Sequence, residues 1–423
     1  MNQADAKRNT PLPSIVRIIT ADGEVAAAMT KTGAATGGVN VEWVAGDQGL
    51  NIYIESPTVE SYGVRLRFPV RPAVGVRCLG DHWERGYGDL EWRGIVPERP
   101  LPWYGFLTSS AGTLGFGVKT TANAFACWHV DSEGIGLTLD IRNGGRGVRL
   151  GGRRLLAATI VWADYSADVS PFDAAFDFCK RLCDRPRLPN HIVYGGNNWY
   201  SAYGISSDAD MMRDTELIAE LTEGLDNRPY MVVDDCWQPA DGRHPEIGPG
   251  WAGGYDWRRG NDKFPDMPGL ADRMRRLGVR PGIWLRPLAA DSSGDPSTLL
   301  SKNRILLPDD NLLKRAFLDP TTGSAQEKIR GDIKMLADWG YELIKHDFST
   351  WDLFGRWGFE MGESVTGGDW SFSDRTKTNA EIVRNLYELI RDAAGDAVII
   401  GCNTVSHLSA GLFEIQKIGR AHV

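Results

Sequence analysis

The feature that most restricts what this chain can become is a change of hydrophobic period near residue 170. Before it, short runs alternate apolar and polar residues and are broken by Gly, Pro, Asn and Asp. Ile15–Thr20, Gly63–Phe68, Gly115–Lys119 and Ala157–Trp162 are examples. Successive side chains of a strand face opposite ways, so period two with closely spaced turns predicts an antiparallel β-sandwich over residues 1–170. No constellation of catalytic residue types stands out there, and the unit reads as accessory. Pro171–Leu182 then takes a helical period and Pro186 and Pro189 break the chain, giving a helical linker over 171–190.

From His191 the rhythm is different. Apolar runs of four to six residues alternate with amphipathic stretches, as a parallel sheet with crossover helices requires. Strands are expected at Ile192–Gly196, Tyr230–Asp234, Arg280–Leu285, Tyr341–Lys345, Ala397–Gly401 and Leu412–Lys417. Helices are expected at Asp208–Glu223, Gly269–Leu277, Ser324–Trp339 and Lys377–Ala394. Pure alternation fits a doubly wound sheet or a barrel. The barrel is favoured because polar residues crowd the C-terminal strand ends, where barrel active sites assemble. Residues 191–423 are therefore expected to form an incomplete TIM-type (β/α)8 barrel with about six strands present.

Those strand ends carry the chemistry. The first runs into Asn197, Asn198, Trp199 and Tyr200, and the second into Asp234, Asp235, Cys236 and Trp237. The third offers Trp284 and Arg286, the fourth Lys345 and Asp347, the fifth Cys402 and Asn403. Carboxylates accept from hydroxyls, Lys and Asn donate, and indoles stack on the C–H face of a sugar, so the set suits a neutral, hydroxyl-rich ligand. A metal reading of the three aspartates lacks a supporting His set, since His346 should point away from Asp347 on a strand of period two. Lys345 and Asp347 share one direction, and the ammonium is expected to keep the carboxylate ionised, as a nucleophile requires. Asp234 and Asp235 cannot share a direction on a regular strand. They are read as contacts to different hydroxyls of one sugar.

Composition excludes several classes of partner. The chain of 423 residues has a formal net charge of −8, which argues against nucleic acid. The basic, Gly-rich stretch Arg142–Arg149 lacks the Lys-Ser/Thr of a phosphate loop and reads as a solvated hairpin. No run of 18 apolar residues occurs and Met1–Ser14 is polar, so no membrane span and a cytoplasmic location are expected. The six cysteines form no C-x-x-C pair and are expected to be reduced. The 15 tryptophans exceed ordinary usage and suit either a Trp-rich core or sugar-stacking walls.

Taken in order, these motifs resemble the α-galactosidases (melibiases) of glycoside hydrolase clan D. They are Gly196–Tyr200, Val233–Gln238, Asn261–Pro265, Gly278–Leu285, Leu318–Pro320 and Lys345–Phe348. The preceding sandwich is similar to family 36 in particular. The resemblance implies retaining hydrolysis of terminal α-D-galactosyl residues, with Asp347 as nucleophile and no metal or organic cofactor. It implies that Asp234 and Asp235 bind the O4 and O6 hydroxyls, Lys345 the O3/O4 edge, Trp199 and Trp284 the pocket walls, and Cys402 and Asn403 the region of O2. Asn198 joins this binding set. A galactose-containing carbohydrate is the implied partner. An α-N-acetylgalactosaminidase, a galactosyl transferase and an inactive carbohydrate-binding fragment are the alternatives.

A retaining mechanism needs a second carboxyl about 5–5.5 Å from the nucleophile. The family places it just after the sixth strand. Here the chain ends a few residues beyond Phe413–Gly419 with no Asp, so the acid/base and strands seven and eight are expected to be absent from the sequence. Glu414 lies inside the sixth strand and is not promoted to that role.

Overall fold

In the computed structural model, the described residues are 10–87, 90–239, 243–244, 248–249, 256–290, 294–305 and 316–418. The expectation of no Asp after the sixth strand falls on 419–423, outside the described residues. Two antiparallel sheets form the first half. One has six strands in the order Gly23–Ala26, Ile15–Thr20, Gly63–Phe68, Gly134–Asp140, Phe125–Asp131 and Leu101–Pro102. The other has eight, with the long strand Gly151–Ser166 between Gly49–Ser56 and Gly112–Val118. Alternation decides which residues meet between them. Phe68 and Trp128 from one sheet interlock with Phe116 and Trp162 from the other, at ring separations of 5.1 to 5.7 Å. Such aromatic pairs add about 0.5–1.5 kcal/mol each beyond the area they bury.

Helix α1 (Pro171–Leu182) starts at the Ser170 cap and lies on the outer face of the eight-stranded sheet. Its Phe178 packs over Gly115, where an added Cβ would stand 2.7 Å from the ring. The segment read as a linker is thus packed against the sandwich through Phe106, Val161, Ala163 and Tyr165.

The second half contains a six-stranded, wholly parallel sheet in sequential order. Its strands are β1 (Gly195–Asn197), β2 (Tyr230–Val233), β3 (Arg280–Leu285), β4 (Leu343–His346), β5 (Val398–Gly401) and β6 (Ile415–Gln416). Between them run α2 (Asp208–Leu221), α3 (Met267–Arg276), α4 (Gly323–Asp338), the short α5 (Ser349–Phe354) and α6 (Asn379–Ala393). Here too period two sorts the side chains. Val233, Ile283, Ile344 and Ile399 join the helices in the main core, whereas Tyr230, Val232, Leu343 and Val398 form a separate inner cluster. The sheet rolls far enough that Lys417, just past β6, places its Nζ 3.2 Å from the hydroxyl of Tyr200, just past β1. An antiparallel-sandwich half and a partial parallel barrel are therefore present. Among the described residues no helix is long and apolar enough to cross a membrane, and no group of three His, Cys, Asp or Glu side chains is placed to hold a metal ion.

Candidate active site

The inner column of the parallel sheet continues upward into polar residues at intervals of two. Above Val232 comes Asp234, above Gly282 comes Trp284, above Leu343 come Lys345 and Asp347, and above Ile400 comes Cys402. These side chains, with Trp199, Tyr200, Asp235, Phe348, Trp357 and Lys417, line one cavity of about 140 Å³. That is below the range of drug-sized sites and suits a single small ring.

Asp347 is buried and accepts three hydrogen bonds. Trp284 Nε1 donates to Oδ2 at 2.9 Å, while Phe348 N and Asn403 Nδ2 donate to Oδ1 at 2.8 and 2.6 Å. Donors of this kind stabilise the charged form of a carboxylate. Lys345 feels both carboxylates: the charge of Asp347 acts on it as well as that of Asp234. Lys345 ion-pairs with Asp234, which also takes hydrogen bonds from Asn197 Nδ2 and from the amide of Asp235. Asp234 follows β2 and Lys345 lies on β4, with β3 between them, so the pair closes across the inner face of the rolled sheet. Burial alone would push the Lys345 pKa down, but the charge of Asp234, together with its hydrogen bond and the smaller contributions of Cys402 and Asp347, outweighs it and raises the pKa.

Asp235 follows a different logic. Burial pushes its pKa up to about 7, partly opposed by hydrogen bonds from Gln238 Nε2 (2.8 Å) and the Cys236 amide (2.7 Å), while neighbouring Asp234 adds to the rise. Cys236 has φ of 80°, Phe348 of 67° and Asn403 of 48°. Left-handed backbone is costly for residues with a Cβ and clusters at functional sites. Here each residue turns the chain directly after β2, β4 or β5, which is how Asp235 reaches the same cavity as its neighbour.

Two of the expected site residues lie beside the cavity rather than in it. Asn198 is buried and its Oδ1 accepts from the Asp234 amide, fixing the end of β2. Asn403 acts through its bond to Asp347. Arg286 is taken up by Asp352 of α5, with Nε at 3.1 and 3.0 Å from its two oxygens, and stacks 4.4 Å from the Phe348 ring. His346 faces the helices, edge-on to Tyr387 and Phe413. Glu414 binds Arg391 and Arg187 at the other end of the barrel. Sequence reasoning did not single out Trp357 or Lys417. Lys417 was legible as one more strand-end residue after β6. Trp357 carried no signal, because it sits in the long excursion between α5 and α6.

A larger cavity of about 1080 Å³ opens at the N-terminal strand ends, beside Tyr230, Arg280, Glu342 and Glu414. Its charges are mixed, and that face of a barrel ordinarily serves stability.

No sequence profile of a known family matches the chain, and no curated protein matches it by sequence. Solved structures do match. The α-galactosidase TtGalA from Thermus thermophilus, in complex with p-nitrophenyl α-D-galactopyranoside, aligns with a TM-score of 0.57 at 17% identity, over 96% of this chain and 74% of that one. The GH36 α-galactosidase AgaA from Geobacillus stearothermophilus aligns with a TM-score of 0.57 at 14% identity, over 93% of this chain and 62% of that one. The galactosidase domain of the α-galactosidase-sucrose kinase AgaSK gives 0.54 at 14%, over 98% and 59%. This chain thus has the fold of the GH36 α-galactosidases over nearly its whole described length.

Proposed function

We propose that this chain carries the glycone-binding and nucleophilic half of a retaining α-galactosidase site. The observation that carries the reading is Asp347, a buried carboxylate held by three donors at the wall of a small cavity. Oδ1 accepts two hydrogen bonds and Oδ2 one, so Oδ2 keeps a lone pair free for attack. In the first step Oδ2 bonds to the anomeric carbon as the bond to the leaving oxygen breaks, and that oxygen departs with the electron pair. A second carboxyl protonates it and then activates water. Among the described residues the cavity offers only Asp234 and Asp235 besides Asp347. Asp234 is committed to Lys345 and Asn197, and Asp235 is held by Gln238 and the Cys236 amide and is read as a hydroxyl contact. The acid/base is therefore assigned to neither.

The remaining residues orient the sugar. The Asp234–Lys345 pair presents an acceptor and a donor to the O3/O4 edge, Asp235 offers an oxygen to O6, Trp199 and Trp284 form walls, and Cys402 lies toward O2. The solved relatives named for complexes with stachyose, raffinose and p-nitrophenyl α-D-galactopyranoside support a galactoside ligand. The reading requires no cofactor.

The test uses a 2-fluorinated galactosyl donor with a good leaving group, which needs no protonation to react. Mass spectrometry should find the adduct on Asp347, and Asp347→Asn should remain unlabelled. Tight galactose binding with no adduct at any carboxylate would replace this reading with that of a carbohydrate-binding protein.

A further inference from the structure

Trp357 belongs to the cavity, yet what fixes it comes from the sandwich. The segment after strand Arg77–Gly80 inserts between the barrel's upper loops. Trp83 Nε1 donates to the carbonyl of Gly362 at 3.1 Å, and the Arg85 amide donates to Ser406 Oγ at 3.1 Å. Glu84, only 2% exposed, accepts from the Gly358 amide at 2.7 Å. The approach is close: a Cβ on Gly358 would stand 2.7 Å from Glu84 Cγ and 2.9 Å from its amide nitrogen. Gly358 opens a single 3-10 turn, Gly358–Glu360, which is closed by the Trp357 amide donating to Glu360 Oε2 at 2.7 Å. The Trp357 ring then meets Phe348 at 5.6 Å and Trp351 at 6.2 Å, and forms one wall of the cavity. A second clamp lies five residues further on. Glu363 takes Arg65 Nη2 and His129 Nε2, both at 2.5 Å, and Thr138 Oγ1 at 3.2 Å.

We infer that Glu84 is a positioning residue: through the Gly358 amide it sets the angle of Trp357, and so the sandwich shapes the wall against which a pyranoside ring stacks. The inference rests on the carbohydrate reading of the cavity. A mobile indole loses rotamer freedom on binding, whereas one already fixed does not, so the clamp acts on affinity. Glu84 itself does not line the cavity.

The experiment joins calorimetry with 1-deoxygalactonojirimycin to 19F NMR of the 5-fluorotryptophan-labelled protein. The Trp357 resonance is assigned by its loss in Trp357→Phe. Glu84→Ala should shift that resonance without ligand and weaken binding by fivefold or more. Glu84→Gln, which keeps an acceptor for the amide, should stay within twofold of wild type. In a Trp357→Ala background, Glu84→Ala should change affinity less than twofold, which a general loss of structure would not produce. An unmoved resonance, or an equal loss of affinity in both backgrounds, overturns the inference. If Glu84→Ala does not fold, Gly358→Ala, which strains the same contact from the other side, takes its place in each comparison. Failure of the wild type to bind the inhibitor would count against the carbohydrate reading, while the ligand-free resonance would still decide whether Glu84 positions Trp357.

Discussion

Asp347 is gripped by groups from three places in the chain: the indole of β3, its own following amide and the amide side chain after β5. Each bond to a charged group contributes about 1.5–3 kcal/mol. Asn403→Ala is therefore expected to slow labelling of Asp347 by roughly tenfold to a hundredfold, read as the pseudo-first-order rate with the fluorinated donor. Asp235 makes a different prediction. Its pKa is raised to about 7 in the folded chain by burial and lies near 3.9 when unfolded, so the folded state holds the extra proton between those values. This group's contribution consequently falls as pH rises through that window, by up to about 1.4 kcal/mol per pH unit. Asp235→Asn should remove the fall. Urea midpoints at pH 5 and 8 would test it, with the variant gaining on wild type at the higher pH.

At the scale of elements, much was legible because it follows from period and caps. The strand Ile15–Thr20 and the strand Arg280–Leu285 stand where alternation and apolar runs place them. Ser207 with Asp210 and Thr378 with Glu381 form capping boxes that start α2 and α6. The first parallel strand was less legible. It runs Gly195–Asn197 rather than Ile192–Gly196, because the ladder to β2 begins only at the Tyr194 carbonyl, which accepts from the Tyr230 amide, and pairs the glycines beyond it. Gly195 has φ of 151°, and a Cβ there would lie 1.8 Å from the Tyr230 carbonyl oxygen. Only glycine permits that close pairing, so Gly195→Ala should destabilise the protein by about 1–3 kcal/mol and lower its melting temperature. Thr378 Oγ1 both caps α6 and donates to the carbonyl of Asn123 in the sandwich at 2.6 Å. Thr378→Ala should cost about 1–2 kcal/mol in chemical denaturation. The pairing of Lys345 with Asp234 was not legible, since a strand's period tells which way a side chain points and not which neighbour it meets.

For the whole molecule, the two halves are joined by buried groups as well as surface ones. His407 stacks on Trp103 of the sandwich at 4.7 Å, its Nε2 lies 3.0 Å from the Val118 carbonyl, and burial pushes its pKa down to about 4. The unfolded residue takes its proton near 6.5, so the unfolded state binds more protons in between, and this contribution to stability is lost as pH falls through that window. His346, pushed by burial to about 3, has the same sign. His407→Gln should flatten the acid limb by up to about 1.4 kcal/mol per pH unit, measured as denaturation midpoints from pH 4.5 to 6.5. None of this joining could be read from the sequence, where the sandwich offered no chemistry of its own.

The clamp on the pocket wall also orders events in time. Gly358 meets a partner 274 positions earlier, and Glu363 one 298 positions earlier. A chain leaving the ribosome from its N-terminus folds its first domain first. The surface that presents Glu84 and Arg65 can stand complete before residues 355–378 have been made, and the Trp357 wall of the cavity is then cast against an existing mould. A circular permutant that begins at the barrel would have to build that wall with no template, and slow recovery of the pocket, with the sheets already formed, is what refolding kinetics should then record.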